Sequence, residues 1–596
     1  MYISDTTYQG EEKLVISIDI GTTFSAVTFC HVYAGAKPEV RAVLKWPGQE
    51  DTAGDSKIPS LLAYQAGEVR FCGAEALEYL DDDDYEIARW FKVHLHPESM
   101  RTLEQPPAYG SPIDAMSTIE LPPLPEGVTL EQIYTDFIRY LYSAAHSYFI
   151  RRTPDGRNIW NRLQERTIII LCTPNSWDIA QHTFMRQVAV DAGLVTESDV
   201  DDRLEFITEG EASIHFALAH AGGLNWLQAG AMFAVTDAGG STVDSTLYEC
   251  KSTEPLILQE ACASECALAG GVFVDRAAYT LLKDRLFHTR YGSEEWVMAS
   301  MRAFEKKTKR VFDGSQESNV VAFGGPGDTD RNHGIVKGKL FLSRNEVSRT
   351  FEDVVARTVE SCSKLLRGRR VQHLLLVGGF AESPFLRARL AFILHNQGTE
   401  VVTVDEPSKK AAAEGATIWF LKQLVKARAA RCTYGMHAWK VFRRTIHSER
   451  EADARVRPDG TKKIRVFDPV VEKESILTND WEKSIRYQTS YTTFPLDLER
   501  FSRNLYTWEG EGKSVWLRDQ QGNLLPGMRH LCALMADLSG LKGSLTRHRS
   551  AYYEYWRLDY EVVISFKRGK LQAKLRWTEN GVKREGPVTI LPEATF

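Results

Sequence analysis

No stretch of the sequence approaches the roughly 20 consecutive apolar residues of a membrane-spanning helix. The opening residues, MYISDTTYQGEEKL, have neither the basic start nor the apolar run of an export leader, so a cytoplasmic or nuclear chain is expected. Cysteine is sparse: nine residues, an odd number, are scattered from Cys30 to Cys532 without paired spacings, which excludes a disulfide framework. Only Cys262 and Cys266 lie close together, and a zinc site there needs two further ligands nearby. Neither sign of charge dominates, with 73 basic and 79 acidic residues intermixed, so nucleic acid and anionic membrane surfaces are not expected partners. What is present is a 596-residue chain, 43% apolar, with enough side-chain volume for several cores and hence several domains.

Strand and helix patterns alternate from Leu14 to about Leu424, which predicts an α/β architecture. The clearest helix is expected over Thr129–Phe149, where Leu130, Ile133, Phe137, Ile138, Leu141 and Tyr148 recur at helical spacing. Thr129 and Gln132 form a capping-box pattern at its start. The proline-rich stretch from His96 to Gly127 reads as an exposed loop or insertion. After about Ala430 helical periodicity fades and short alternating runs take over, with hairpin signals at Asp459-Gly460, Arg568-Gly569 and Asn580-Gly581. The resulting division is an α/β domain over 1–425, a linker over 426–435 and an antiparallel β domain over 436–596.

Two segments share one pattern. LVISIDIGTTFSAVTFC (Leu14–Cys30) is a strand, Asp19, a Gly21-Thr22-Thr23 turn and a second strand; MFAVTDAGGSTVDSTLYE (Met232–Glu249) repeats it around Asp237 and Gly239-Gly240-Ser241-Thr242. Successive inward N–H groups in such turns make a concavity for phosphate oxygens, and threonine hydroxyls add donors. Neither turn opens a helix, which separates both from the Walker loop and the dinucleotide fingerprint. The repetition implies a duplication, with two related lobes each offering a turn to a shared cleft. Asp19 and Asp237 could together hold Mg²⁺ largely through waters, because Mg²⁺ dehydrates reluctantly and sits beside phosphates. A third segment, HLLLVGGFAESPFLRARL (His373–Leu390), reads as a buried strand, a Gly378-Gly379 turn, and a helix with Ser383 as N-cap and Pro384 as first residue.

DIGTTFS, DAGGSTVD and LVGGFAESP, in this order, resemble the phosphate-1, phosphate-2 and adenosine motifs of the actin, hexokinase and heat-shock protein 70 superfamily, closest in wording to the heat-shock 70 branch. IIILCTPNSWDIAQHTFMRQVAVDAGL, EFITEGEASIHFALAH, ALAGGVFVDR and EKKTKRVF resemble further segments of that family in the same order. The resemblance covers about residues 14–425 and implies a duplicated ribonuclease H-like, two-lobed ATPase domain. Carried onto this chain, it implies that Gly21, Thr22 and Thr23, with Phe24 beside them, cradle phosphate, with Asp19 in the Mg²⁺ shell. Gly239, Gly240, Ser241 and Thr242 would do the same from the second lobe, with Asp237 near the attacking water and Glu209 orienting it. Lys92 would reach the γ-phosphate, and Gly271, Lys309, Arg310, Gly378, Gly379 and Phe380 would line the adenosine side. Ser241 departs from the family's third glycine, Phe380 and Glu382 replace its polar and basic residues after Gly-Gly, and EPSKKAAAEGATIW (Glu406–Trp419) alters its adenosine edge.

The C-terminal part is similar to the same family's β substrate-binding subdomain through DPVVEKESI, QTSYTTFPLDLERFSRNLYTWEGEG and LMADLSGL, without a helical lid. The resemblance therefore implies an ATP/ADP- and Mg²⁺-binding, slowly hydrolysing chaperone-type protein whose β domain takes a client protein or peptide, with a nucleotide-exchange factor or J-type co-chaperone as further partners. Two alternatives stand beside it: a nucleotide-binding scaffold without turnover, suggested by the departures, and a small-molecule kinase of the same superfamily, for which no acceptor-pocket signature is present.

Overall fold

A computed structural model describes residues 7–50, 55–97, 122–177, 179–220, 226–403, 411–422, 425–478, 481–494, 498–510, 512–543, 545–567, 570–579, 582–586 and 589–592. Two compact units result: one of residues 1–259 with 264–425, the other of 260–263 with 426–596. Among the described residues no helix is long and apolar enough to cross a membrane, and all nine cysteines are free.

The first unit holds two sheets of related design. In one, β1 (Lys13–Asp19) pairs antiparallel with β2 (Phe24–Val32) and parallel with β3 (Ile168–Thr173), which pairs parallel with β4 (Leu204–Thr208). Residues 14–19 of β1 are all buried, as a near-continuous apolar run covered on both faces requires. Helices α1 (Phe91–His94), α2 (Leu130–Arg152) and α3 (Glu209–His220) belong to this half of the chain. In α2, Ile133, Phe137, Ile138 and Leu141 are fully buried, the i, i+4, i+5, i+8 face that the spacing predicts. Thr129 caps α2 by accepting from the Gln132 N–H, but the Gln132 side chain turns away to donate to the Gly67 carbonyl, so only half of the capping box forms.

The second sheet repeats the scheme. β5 (Met232–Ala238) pairs antiparallel with β6 (Val243–Thr253) and parallel with β7 (His373–Val377), which pairs parallel with β8 (Glu400–Thr403). Helices α4 (Gly271–Leu286), α5 (Arg344–Leu366), α6 (Pro384–His395) and α7 (Ala411–Lys422) complete the unit. Ser383 caps α6 through the Leu386 N–H with Pro384 as its first residue, as the sequence predicts, although one 3₁₀ turn (Phe380–Glu382) separates the cap from the Gly378-Gly379 turn.

Helices α3 and α7 join the two sheets. Ala212 of α3 and Ala412, Ala416 and Trp419 of α7 share a core with Val15 and Ile170 of the first sheet. Ile214 and Phe216 of α3, with Ala411 of α7, share another with Phe233, Val235 and Leu375 of the second. The helices approach so closely that a Cβ at Gly415 would collide with the Ala212 carbonyl. His220 and Glu414 bond across them at 2.7 Å, both buried.

The second unit is antiparallel β. β9 (Thr433–Val441) pairs with β10 (Lys462–Val471) and β12 (Phe501–Trp508), while β11 (Glu482–Tyr491) pairs with β14 (Glu554–Lys567), which pairs with β15 (Lys570–Glu579); β13 (Met528–Ala536) continues the first of these sheets beside β12. Leu505, Cys532, Leu534, Val562, Ile564 and Leu575 are fully buried in its core. Asp459 and Gly460 close the hairpin into β10, Gly460 supplying the positive φ of 81° the turn needs. The Arg568-Gly569 and Asn580-Gly581 signals, and residues 98–121 of the expected loop, lie outside the described residues. In and beside the segment expected as a linker, Val425–Ala429 is a strand paired with Ile476–Thr478, and Thr433–Gly435 belong to β9. The Val-Lys-Ala-Arg-Ala alternation fits a strand, which the composition-based boundary passed over.

Replacing Gly415 by Ala forces a methyl group into the Ala212 backbone, an overpacking defect of roughly 1–3 kcal/mol or more. Calorimetry on G415A is expected to show the α/β unit melting several degrees lower, with the β unit's transition unmoved.

Candidate functional site

The two Asp-containing turns meet. Asp19 ends β1 opposite Ala26 and Asp237 lies opposite Asp244 one residue before β5 ends, so each strand hands its carboxylate to the turn that follows. Gly21 is required in the first turn because a Cβ would collide with the Phe24 carbonyl. In the second turn the Gly239 N–H donates to the Thr242 carbonyl at 2.9 Å, and three carbonyls are tied to the start of α4: Gly270, Gly271 and Val272 N–H groups donate to Ser241, Gly239 and Gly240 at 3.0, 3.1 and 2.9 Å. A Cβ at Gly240 would lie 3.0 Å from Thr23 Oγ1 and 3.4 Å from Thr22 Cβ, so the glycine is what lets the turns touch. They are joined by a 2.6 Å hydrogen bond between Thr22 Oγ1 and Ser241 Oγ.

Ser241, the departure from a third glycine, therefore has a structural partner. It also bonds His96 Nε2 at 3.4 Å, and His96 Nδ1 accepts the Trp177 indole N–H at 3.1 Å. Because indole only donates, Nδ1 must be unprotonated and Nε2 must carry the hydrogen, which orients the chain toward the Ser241 and Thr22 hydroxyls.

These turns open onto a cavity of about 320 Å³, and it collects every residue the sequence singled out. Asp19 and Asp237 lie on its wall, as do Gly21, Thr22, Thr23 and Phe24 from the first turn and Gly239, Gly240, Ser241 and Thr242 from the second. Lys92 of α1 and Glu209 of α3 face each other at 2.5 Å, both buried. Gly378, with φ of 97°, packs against Asp237, since a Cβ there would strike its carboxylate. Gly379 has nothing within 4 Å of an added Cβ, so its backbone faces open cavity.

The far wall is built by a π turn, Phe304–Thr308. With about 4.4 residues per turn, the i+4 and i+5 residues straddle residue i, and Lys309 and Arg310 thus reach the cavity with Glu305. Lys309 is held by Asp275 at 2.6 Å and lies 5.9 Å from the Phe380 ring centroid. Gly271 makes room for both, a Cβ there lying 3.2 Å from Lys309 Nζ and 3.3 Å from Phe380.

Sequence reasoning passed over Asp55, Lys57 and Glu305, which also line the cavity, and Ser213, whose hydroxyl donates to Asp237 Oδ2. Ser213 follows Glu209 by one helical turn, a spacing that could have exposed it; Lys57, on a three-residue strand, carries no comparable signal.

Electrostatically the cavity is overloaded with carboxylates. Burial pushes Asp237 from 3.8 up to about 6, opposed by the Ser213 hydrogen bond and reinforced by Asp244 and Asp19. Burial raises Glu209, although Lys92 opposes it, and Asp244 is raised as well. Lys92 stays charged despite its own burial because Glu209, Asp19 and Asp244 surround it.

Both halves of a nucleotide–Mg²⁺ pair fit this donor set. The Thr22, Gly240 and Ser241 N–H groups take part in no hydrogen bond among the described residues and are available to phosphate. Among those residues no group of three His, Cys, Asp or Glu side chains is arranged to ligate a metal directly. Asp19 and Asp237, both on the cavity wall, would suit a hydrated Mg²⁺ shared with phosphate oxygens, and a divalent charge would relieve the carboxylate excess.

A duplicated α/β unit with one Asp-bearing turn from each half, closing on a common cavity, has the architecture of the actin-like ATPase superfamily. No family profile matches the chain. It is 23% identical to human heat shock 70 kDa protein 12B over 517 residues, covering 72% of this chain and 71% of that protein. It is 21% identical to human heat shock 70 kDa protein 12A over 630 aligned positions, covering 91% of this chain and 87% of that protein. These distant relatives, 21–23% identical over most of the chain, support a divergent heat-shock protein 70-like protein of that superfamily.

The raised Asp237 sets a pH test. A carboxyl whose folded pKa of about 6 exceeds its ordinary 3.8 penalises the fold as pH rises through that window, and the penalty is complete above it. In the ligand-free protein, D237N is expected to gain on wild type in melting temperature from about pH 4 to pH 6 and then hold a constant lead. A difference independent of pH contradicts the assignment.

Proposed function

We propose that the cavity binds an adenine nucleotide with Mg²⁺ and hydrolyses ATP slowly, and that the C-terminal β unit binds a protein ligand. The observation that carries the reading is the meeting of the two turns, Thr22 to Ser241 at 2.6 Å, over a buried lysine. The superfamily relationship supports nucleotide binding as the general activity.

The chain's own residues divide the work. The N–H groups of Thr22, Gly240 and Ser241 grip phosphate oxygens from opposite sides, each turn fixed by its strand pair. Asp19 and Asp237 would hold the Mg²⁺ through its water shell, and the ion supplies charge neutralisation on the phosphates. Lys92, kept charged and pointed by Glu209, stabilises the negative charge that grows on the transferred group. Asp237, fixed by Ser213 and backed by Gly378, would orient a water for attack on the terminal phosphate. Gly271, Lys309, Arg310, Gly379 and Phe380 form a partly apolar, partly cationic wall for the nucleoside.

A second reading, a nucleotide-binding scaffold without turnover, draws on Ser241. Its hydroxyl is engaged with Thr22 and His96, where a third glycine would leave the space to phosphate.

ATP or ADP with Mg²⁺, at about 100 times its Kd, is expected to add roughly 2.7 kcal/mol to the unit's stability, visible as a rise in its melting temperature. No shift with any nucleotide overturns the nucleotide reading. Phosphate release above background that falls at least roughly 100-fold in K92A and in D237N supports hydrolysis. A melting shift without release in wild type selects the scaffold.

A further inference from the structure

The β unit contains a cavity of its own, about 780 Å³, between β9, β10, β11 and β12. Among the described residues seven cations lie on its wall and no carboxylate does. Three of them are neutralised from just outside: Lys440 by Asp468 at 2.8 Å, Lys463 by Asp459 at 2.6 Å and Arg486 by Glu561 at 2.9 Å. The other four, Arg457, Arg465, Arg503 and Arg518, form no ion pair among the described residues. Arg503 instead donates to the Tyr560 hydroxyl at 2.5 Å and to Thr489 Oγ1 at 2.9 Å, and Arg518 to the Gly522 carbonyl at 2.7 Å. Arg457 and Arg465 lie over the Trp439 ring at 4.7 and 5.2 Å. The field is felt by His437 on the same wall, pushed down to about 4 by burial and then by Arg465 and Arg518.

The whole segment shares the bias. Residues 426–596 contain 31 lysines and arginines against 21 aspartates and glutamates, whereas residues 1–425 contain 42 against 58. The charge balance of the full chain thus conceals a basic C-terminal part and an acidic N-terminal one. Surplus positive charge on a concave wall is costly unless an anionic ligand shares the space.

Backbone geometry indicates which kind of anion. Among the described residues β11 pairs only with β14 and is the outer strand of its sheet, and its six consecutive residues Arg486–Tyr491 all line the cavity. β9 pairs with β12 only over Thr433–Met436, leaving His437–Val441 without a strand partner on that side among the described residues, and these five residues line the cavity too. Open strand edges offer alternating N–H and C=O groups to an extended polypeptide, whereas an oligonucleotide's phosphates accept from N–H groups but leave the edge carbonyls without donors. Base stacking, the other means of recognition, is disfavoured at Trp439 because its π surface already engages two guanidinium groups.

We infer that this groove binds an extended acidic polypeptide segment, its backbone adding to the edge of β11 or β9 and its carboxylates pairing with Arg457, Arg465, Arg503 and Arg518. The inference rests on reading the β unit as a ligand-binding domain and names the chemistry of that ligand. Acidic side chains on alternate residues of such a strand would all face one side, so an alternating acidic sequence suits the groove better than a scattered one.

The test uses the full-length chain and fluorescence anisotropy with four labelled probes: a peptide alternating Glu with Val, its Lys-for-Glu counterpart, an uncharged apolar peptide and a single-stranded oligonucleotide. The Glu peptide is expected to bind tightest, and to weaken roughly tenfold or more as salt rises from about 50 to 300 mM. It should also weaken when alternate amides are N-methylated, which removes the edge hydrogen bonds. R457E combined with R465E is expected to lose at least roughly tenfold in affinity, while R465K stays within about threefold of wild type. If the double charge reversal lowers the melting temperature of the β unit, R457Q with R465Q replaces it. Equal binding by the neutralised variant, tighter binding of the apolar peptide, or tighter binding of the oligonucleotide overturns the inference. Failure here with the nucleotide-induced melting shift intact leaves the nucleotide reading standing, and the converse result leaves the groove standing.

Discussion

The cavity of the α/β unit is organised by one electrostatic constraint: Asp19, Glu209, Asp237 and Asp244 are buried near a single buried lysine. Charge taken out of water must be paired or relinquished. Lys92 answers part of the problem by its 2.5 Å contact with Glu209, and hydrogen bonds from Ser213 and the Asn175 N–H answer part of the rest. Burial is the main reason Asp237 and Asp244 hold their protons more strongly than an exposed aspartate, with neighbouring carboxylates adding to it at Asp237. A site in this state favours a ligand that brings positive charge with it, and a Mg²⁺–phosphate complex does so while supplying acceptors for the turn amides.

That constraint depends on the strand ends being brought together, and the packing of α3 against α7 does this. Each sheet sends a carboxylate out of its central strand, and the helices between the sheets allow little slack: Gly415 admits no side chain against Ala212, and His220 and Glu414 bond across the pair. The Thr22–Ser241 contact is the result seen at the cavity, where the serine that departs from the family's third glycine is a tie between the halves.

How much of this was legible depended on range. The strand–turn–strand units, Gly21 and Gly239 against Phe24 and Thr242, and the Ser383 cap depend on neighbours a few residues away, so the sequence displays them. Gly240 and Gly378 are visible as parts of their turns, although what requires them, Thr22 with Thr23 and Asp237, lies far along the chain. His96 and Trp177 act through partners 81 to 145 residues away, and no local pattern marks them, whereas Ser213, 24 residues from Asp237, is marked only by its helical spacing from Glu209. The π turn that brings Glu305 beside Lys309 and Arg310 was invisible because its spacing departs from the helical 3.6 on which periodicity is read. In the β unit the alternating texture was legible, but the basic groove was not. Its cations come from β9, β10, β11, β12 and the loops between them, and the balanced charge of the full chain hid them.

The most direct test of the central claim is titration calorimetry of ADP into the full-length protein near pH 6.5, with Mg²⁺ or with a chelator, in two buffers of different ionisation enthalpy. If cavity carboxylates hold the cation, binding requires Mg²⁺ and releases protons, and D237N releases fewer. Equal affinity with and without Mg²⁺, or proton release unchanged in D237N, would contradict the account.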